Sequence, residues 1–173
     1  MRNTSRPLAS LALESALFAL TGACQSQRTA ERVVSAETVP QIVIVCEHGS
    51  VKSLIAVSFF NRAAARRGLS FRAVSRGVTP DKSVPTQVAE ELRQDGFDVA
   101  AYQPLPLAHG DLASAARVIA IGVDLSSMKD DSSSPIQQWE DVPPASVDYA
   151  ASRDALIRHI DILLRELQVA GQE

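Results

Sequence analysis

The residues able to do chemistry in this chain fall in one octapeptide, Cys46-Glu47-His48-Gly49-Ser50-Val51-Lys52-Ser53, directly after the apolar run Ile42-Val43-Ile44-Val45. A loop that leaves a buried strand and enters a helix aims its unpaired amides, and the positive end of the helix dipole, into the bend. The main chain of Glu47, His48, Gly49, Ser50 and Val51 is therefore positioned to bind a phosphate-like oxyanion. The same field acting on Cys46 favours thiolate over thiol and makes the sulfur a usable nucleophile near neutral pH. Gly49 permits the sharp bend. Ser53, at the helix start, can donate a hydrogen bond to the sulfur, both as attacking anion and as leaving group. Lys52 brings fixed positive charge to the equatorial oxygens of a transferring phosphoryl group. Cys46, Lys52 and Ser53 are thus the catalytic candidates of the loop. The competing readings are a buried inert cysteine at Cys46 and a solvated loop histidine at His48, which otherwise contacts the oxyanion or a substrate ring.

Such a loop needs a buried strand behind it and a helix in front. From Pro40 onward, short β-branched runs alternate with longer amphipathic stretches, the pattern of βαβ units and a four-stranded parallel sheet. Strands are expected at 41–45, 71–74, 117–123 and 136–139. The first and third are continuously apolar, as strands covered on both faces must be, so the first should be central. Helices are expected at 52–67, with Leu54, Ile55, Val57, Ser58 and Ala64 packing inward, at 84–95, and at 147–167, whose Leu156, Ile160, Leu163, Leu164 and Leu167 form one apolar stripe. The serine-rich, acidic stretch 126–134 reads as a loop. Ligands in open parallel sheets bind beyond the carboxyl ends of the strands, so the loops after Val45, Val123 and Trp139 should converge.

With 173 residues, a formal net charge of -3, 46% hydrophobic and 21% charged residues, the chain has the composition of a soluble protein with one ordinary domain. Nothing in it predicts nucleic-acid binding, and Arg62, Arg66 and Arg67 read as the wet face of a helix. Two cysteines, Cys24 and Cys46, cannot make a disulfide framework. Arg2 and Arg6, the apolar run 8–20 and the small residues before Cys24 have the order of a secretory signal, with Leu20-Thr21-Gly22-Ala23-Cys24 resembling a bacterial lipoprotein processing site. Two readings stay open. In one the protein is exported, with Cys24 acylated, the only membrane attachment foreseen, and residues 25–38 a polar tether. In the other it is cytoplasmic and the segment is a frayed amphipathic helix. The chain accordingly divides into 1–39, a signal and tether or an unstructured terminus, and a domain at 40–170.

The run Val43-Ile44-Val45-Cys46, a five-residue loop, a basic residue and Ser53 resembles the low-molecular-weight protein tyrosine phosphatases and the thioredoxin-coupled arsenate reductases. Asn61, Ser75-Arg76-Gly77, Gly96-Phe97-Asp98 before Tyr102, Pro104-Leu105-Pro106-Leu107, Val118-Ile119, and Trp139 with Pro144 fall in the same family's order, covering residues 40–167. The resemblance implies a three-layer α/β/α fold with flavodoxin-like winding. It also implies a phosphatase that acts on phosphotyrosine-like phosphomonoesters, in small molecules or phosphoproteins, through a phosphocysteine on Cys46, with no metal or cofactor.

Three positions depart from the family pattern. Lys52 stands where the family has arginine, and an ammonium cannot make the planar two-pronged contact of a guanidinium. The family's general acid, an aspartate before a proline, falls in Trp139-Glu140-Asp141-Val142-Pro143-Pro144, where Pro143 occupies its place. Asp141 is the preferred substitute, with Glu140 and Asp124 behind it. No cysteine follows Cys46, so the disulfide relay of the arsenate reductases has no second thiol. Phosphatase chemistry is the favoured reading. The alternatives are a module that binds phosphate or arsenate with little or no turnover, and an arsenate reductase using an external thiol.

Overall fold

The computed structural model describes residues 39–132 and 134–170, all within one structural unit, Glu37–Glu173. The amino-terminal segment bearing Cys24, with its expected signal and tether, lies outside the described residues. Four strands, β1 (Gln41–Cys46), β2 (Arg72–Gly77), β3 (Arg117–Ile121) and β4 (Ile136–Trp139), alternate with helices α1 (Lys52–Arg66), α2 (Thr86–Gln94), α3 (His109–Ser114) and α4 (Tyr149–Ala170). The sheet is wholly parallel in the order β2-β1-β3-β4, so β1 is central as its apolar run requires. Its register pairs Ile44 with Ser75 and Cys46 with Gly77, which brings the carboxyl ends of β1 and β2 to the same level.

The period of two along β1 divides the core. Ile42, Ile44 and Cys46 face a layer containing Leu54, Ile55, Phe59 and Phe60 of α1 and Leu156, Ile160, Leu163 and Leu164 of α4. Val43 and Val45 face the opposite side, closed by Leu112 of α3 and Leu125. Each fully buried Leu, Ile or Phe stabilises the fold by about 1.5–3 kcal/mol. The result is the three-layer α/β/α arrangement.

Several boundaries differ from the sequence expectation. The short α3 gives too little periodicity to be seen in sequence. Residues 126–134 are not simply a loop: Ser126–Asp131 forms a 3-10 helix, started where the Asp124 carboxylate accepts the Ser126 N–H at 2.8 Å. β3 ends at Ile121 because Gly122 turns the chain at φ 62°. In α1 the inward face is completed by Phe59 and Phe60, while Val57 and Ser58 are only half-buried. The arginines are not one wet face either. Arg66 is exposed, but Arg62 stacks over Phe97 at 3.9 Å and donates to the Asp95 carbonyl at 2.8 Å. Arg67 pairs with Asp161 of α4 at 2.6 Å. Long aliphatic stems let both cross apolar surface to reach acceptors. Among the described residues no helix is long and apolar enough to cross a membrane.

Candidate active site

The loop 47–51 leaves the buried end of β1 and enters α1 without a side-chain cap, so the first amides of the helix are available to a ligand. Gly49 takes φ 65°, and a Cβ there would stand 2.8 Å from the Gly77 amide nitrogen. Gly77 in turn has no room for a side chain, since its Cβ would meet the His48 carbonyl carbon at 2.8 Å. The loop is therefore pressed against the end of β2, backbone on backbone, and only glycine fits at the contact.

Cys46 lies at the floor of a cavity of ≈ 320 Å³ that also touches Glu47, His48, Val51, Lys52 and Asp81. Cys46 as a residue is 3% exposed. The Gly49 N–H donates to its sulfur at 3.3 Å, and Ser53 Oγ lies 3.0 Å away. A second serine supports the first: the Ser75 hydroxyl is shared between Ser53 Oγ at 2.8 Å and the Gly49 carbonyl at 3.0 Å, which lets the Ser53 proton point at the sulfur. Tyr102 donates its hydroxyl to the Gly49 carbonyl at 2.8 Å, and burial pushes the Tyr102 hydroxyl up, so it stays a donor. Tyr102 and Ser75 thus hold the Gly49 carbonyl away from the sulfur while the Gly49 N–H points at it. Ser50 is also wholly buried.

Lys52 reaches across the cavity to the far side. Its Nζ stands 2.9 Å from the position a Cβ on Gly122 would take, just beyond the end of β3. Among the described residues it has no ion pair. The remaining wall is formed by Pro85, Ile121, Gly122, Pro144 and Ala145, with Ser146 adding one hydroxyl.

The structure brings Cys46, Glu47, His48, Val51 and Lys52 together on this cavity, with Gly49, Ser50 and Ser53 directly behind it. It does not bring Asp141 there. The Asp141 carboxylate is 68% exposed and bonded to His159 of α4 at 2.6 Å, a contact that holds it below the usual carboxylate range. His159 is itself stacked on Trp139 at 4.7 Å, so the loop after β4 turns its acid toward α4. Asp124 and Glu140 line an adjoining depression instead. The carboxylates on the Cys46 cavity are Glu47 and Asp81. Ser75 and Tyr102 are visible in sequence only as members of the ordered motif set, and Asp81 carries no sequence signal, because its position depends on how 78–81 folds back over the loop. Among the described residues no group of three or more His, Cys, Asp or Glu side chains could hold a metal ion.

A family model described as low molecular weight phosphotyrosine protein phosphatase matches residues 41–129, more than half of the chain. No curated protein matches in sequence. Among solved structures, a thioredoxin-dependent arsenate reductase of Corynebacterium glutamicum superposes with a TM-score of 0.65 at 24% identity. That match covers 78% of this chain but 65% of the reductase, just under two thirds of its length. The YwlE arginine phosphatase of Geobacillus stearothermophilus gives a TM-score of 0.58 at 22% identity, covering 77% of this chain and 96% of that one. A protein tyrosine phosphatase of Entamoeba histolytica gives 0.66 at 14% identity, covering 76% and 99%. At these identities the likeness is one of fold.

Proposed function

The chain belongs to the low molecular weight phosphotyrosine protein phosphatase family, and on that footing we propose that it hydrolyses phosphomonoesters through a covalent phosphocysteine on Cys46. The supporting observation is the sulfur that accepts the Gly49 N–H at 3.3 Å and faces Ser53 Oγ at 3.0 Å on the floor of an open cavity. In the first step Sγ attacks phosphorus, the S–P bond forms and the ester P–O bond breaks. In the second, water attacks phosphorus, the S–P bond breaks, and inorganic phosphate leaves. Amides of residues 47–51 and the Lys52 ammonium stabilise charge on the three equatorial oxygens in both transition states. Ser53, supported by Ser75, stabilises the sulfur anion before attack and as it departs.

Phosphotyrosine-like aryl esters are the proposed substrates, and phosphoarginine belongs in the test panel because one structural relative is an arginine phosphatase. Full-length protein is assayed on aryl phosphates, phosphotyrosine peptide and phosphoarginine peptide, with and without vanadate. Turnover that vanadate inhibits and Cys46→Ser abolishes supports the proposal. Equal activity in wild type and Cys46→Ser would refute it.

Lys52 and Pro143 favour a second reading, a phosphate- or arsenate-binding module with little turnover. A point charge binds an oxyanion well but cannot make the two-pronged contact of arginine in the transition state. Calorimetry with inorganic phosphate and arsenate then shows binding while the esters are barely hydrolysed. Absence of any oxyanion binding would dispose of this reading.

A further inference from the structure

With proline at position 143, no side chain there can protonate a leaving group, and Asp141 is turned away toward His159. We propose that Asp81, from the segment after β2, is the proton donor to the leaving oxygen and then the acceptor of a proton from the hydrolytic water. This rests on the phosphatase reading above.

The segment 78–81 is laid along the Cys46 loop by a ladder of main-chain bonds. Val78 N–H donates to the Cys46 carbonyl at 3.2 Å, Thr79 N–H to the Glu47 carbonyl at 2.8 Å, and Asp81 N–H to the His48 carbonyl at 3.1 Å. The Asp81 backbone is thus fixed to the main chain of the nucleophile's own loop. Its side chain is oriented as well. The buried Ser50 hydroxyl donates to Oδ2, which leaves Oδ1 on the His48 side, 3.5 Å from His48 Nδ1. The side chain is 36% exposed, and Asp81 is one of the residues lining the Cys46 cavity. Glu47, the other carboxylate there, is exposed, and its side chain makes no hydrogen bond or ion pair among the described residues that would orient it. A proton donor must sit within hydrogen-bond reach of the departing oxygen, and a fixed, partly desolvated carboxyl meets that requirement better than a free one.

As the Sγ–P bond forms and the ester P–O bond breaks, the Asp81 proton passes to the leaving oxygen, giving the neutral alcohol or phenol and an Asp81 carboxylate. As water attacks the phosphocysteine, Asp81 takes its proton, the S–P electron pair returns to Cys46, and inorganic phosphate is released.

The test compares full-length wild type, Asp81→Asn, Ser50→Ala and Glu47→Gln on aryl phosphates whose leaving phenols range from strongly to weakly acidic. A lost acid matters most where the leaving group is poor. Asp81→Asn is expected to lose little on p-nitrophenyl phosphate and about a hundredfold or more on phenyl phosphate. Ser50→Ala keeps the carboxyl but removes the bond that orients it, so it should show the same dependence on the leaving group in weaker form. Should Asp81→Asn fail to fold, Asp81→Ser reads the same dependence. An even loss across the series in the Asp81 variants, or a steepened series in Glu47→Gln instead, overturns the role of Asp81 while leaving the phosphocysteine route standing. Absence of Cys46-dependent turnover in wild type overturns the phosphatase reading and this proposal together.

Discussion

The hydroxyl of Ser53 lies 3.0 Å from the sulfur of Cys46, while its own oxygen accepts a hydrogen bond from Ser75 at 2.8 Å. Two hydroxyls from different elements, α1 and β2, thus act in series on one sulfur. A hydrogen bond to a charged group is worth about 1.5–3 kcal/mol. Ser53→Ala should therefore lower kcat on an aryl phosphate by about ten- to a hundredfold at little cost in folding. Ser75→Ala, which acts through Ser53, should give a smaller loss in the same direction. Steady-state kinetics on both variants check this, and full turnover in Ser53→Ala would contradict it.

The glycines separate conformational strain from steric exclusion. Gly49 and Gly68 share a left-handed backbone, φ 65° and 67°, but a Cβ at Gly68 meets nothing within 4 Å whereas one at Gly49 meets the Gly77 backbone at 2.8 Å. Gly68→Ala should cost about 1–2 kcal/mol, the left-handed penalty alone. Gly49→Ala should cost more and also remove oxyanion binding, since backbone must move to admit the methyl group. Denaturant unfolding and phosphate calorimetry on the pair measure both effects.

The placement of the loop is legible in sequence because strand, bend and helix start follow one another without interruption, so the positions of Cys46, Gly49, Lys52 and Ser53 follow from local rules. The four-stranded sheet was legible for the same reason: Ile42 to Val45 and Val118 to Ile121 are unbroken apolar runs. What could not be read depends on contacts between distant segments. Asp141 lies two residues from the acid's place at Pro143 in the chain, yet His159 on α4 takes its carboxylate. Asp81 reaches the cavity only because three main-chain bonds fold its segment over the loop. Arg62 and Arg67 have surface spacing, but their acceptors lie on the segment after α2 and on α4.

Arg76 at the end of β2 makes two hydrogen bonds to Asp111 of α3, at 2.9 and 2.8 Å. Burial by itself would push the Asp111 carboxyl up, but the Arg76 bonds, the Ala108 N–H and the Arg76 charge together hold it below its ordinary value. The unfolded chain therefore takes up the proton first as pH falls. The stabilisation is complete above about pH 4, where unfolded carboxyls titrate, and is lost as pH drops through the folded carboxyl's own range. Asp111→Asn should destabilise by about 1–3 kcal/mol at pH 7. Its deficit against wild type should shrink on going to pH 3. An equal deficit at both values, measured by denaturant unfolding, would contradict the assignment.

Lys52 has its ammonium over Gly122 at the end of β3, with 2.9 Å between Nζ and the position of a Cβ there. Gly122→Ala should displace the ammonium and weaken phosphate binding, and Lys52→Ala should weaken it further. Lys52→Arg should retain binding and raise aryl phosphate turnover, because a planar guanidinium matches two equatorial oxygens at once. Loss of binding in Lys52→Arg would show that the cavity is shaped for the ammonium alone.

Acid quenching of full-length protein during turnover of an aryl phosphate, followed by mass spectrometry of the peptide containing Cys46, tests the mechanism most directly. The account predicts a phosphoryl group on Cys46 in wild type that accumulates within the first turnover and is absent from Cys46→Ser. Undiminished hydrolysis by Cys46→Ser, or a phosphoryl group trapped on any other residue, would contradict it.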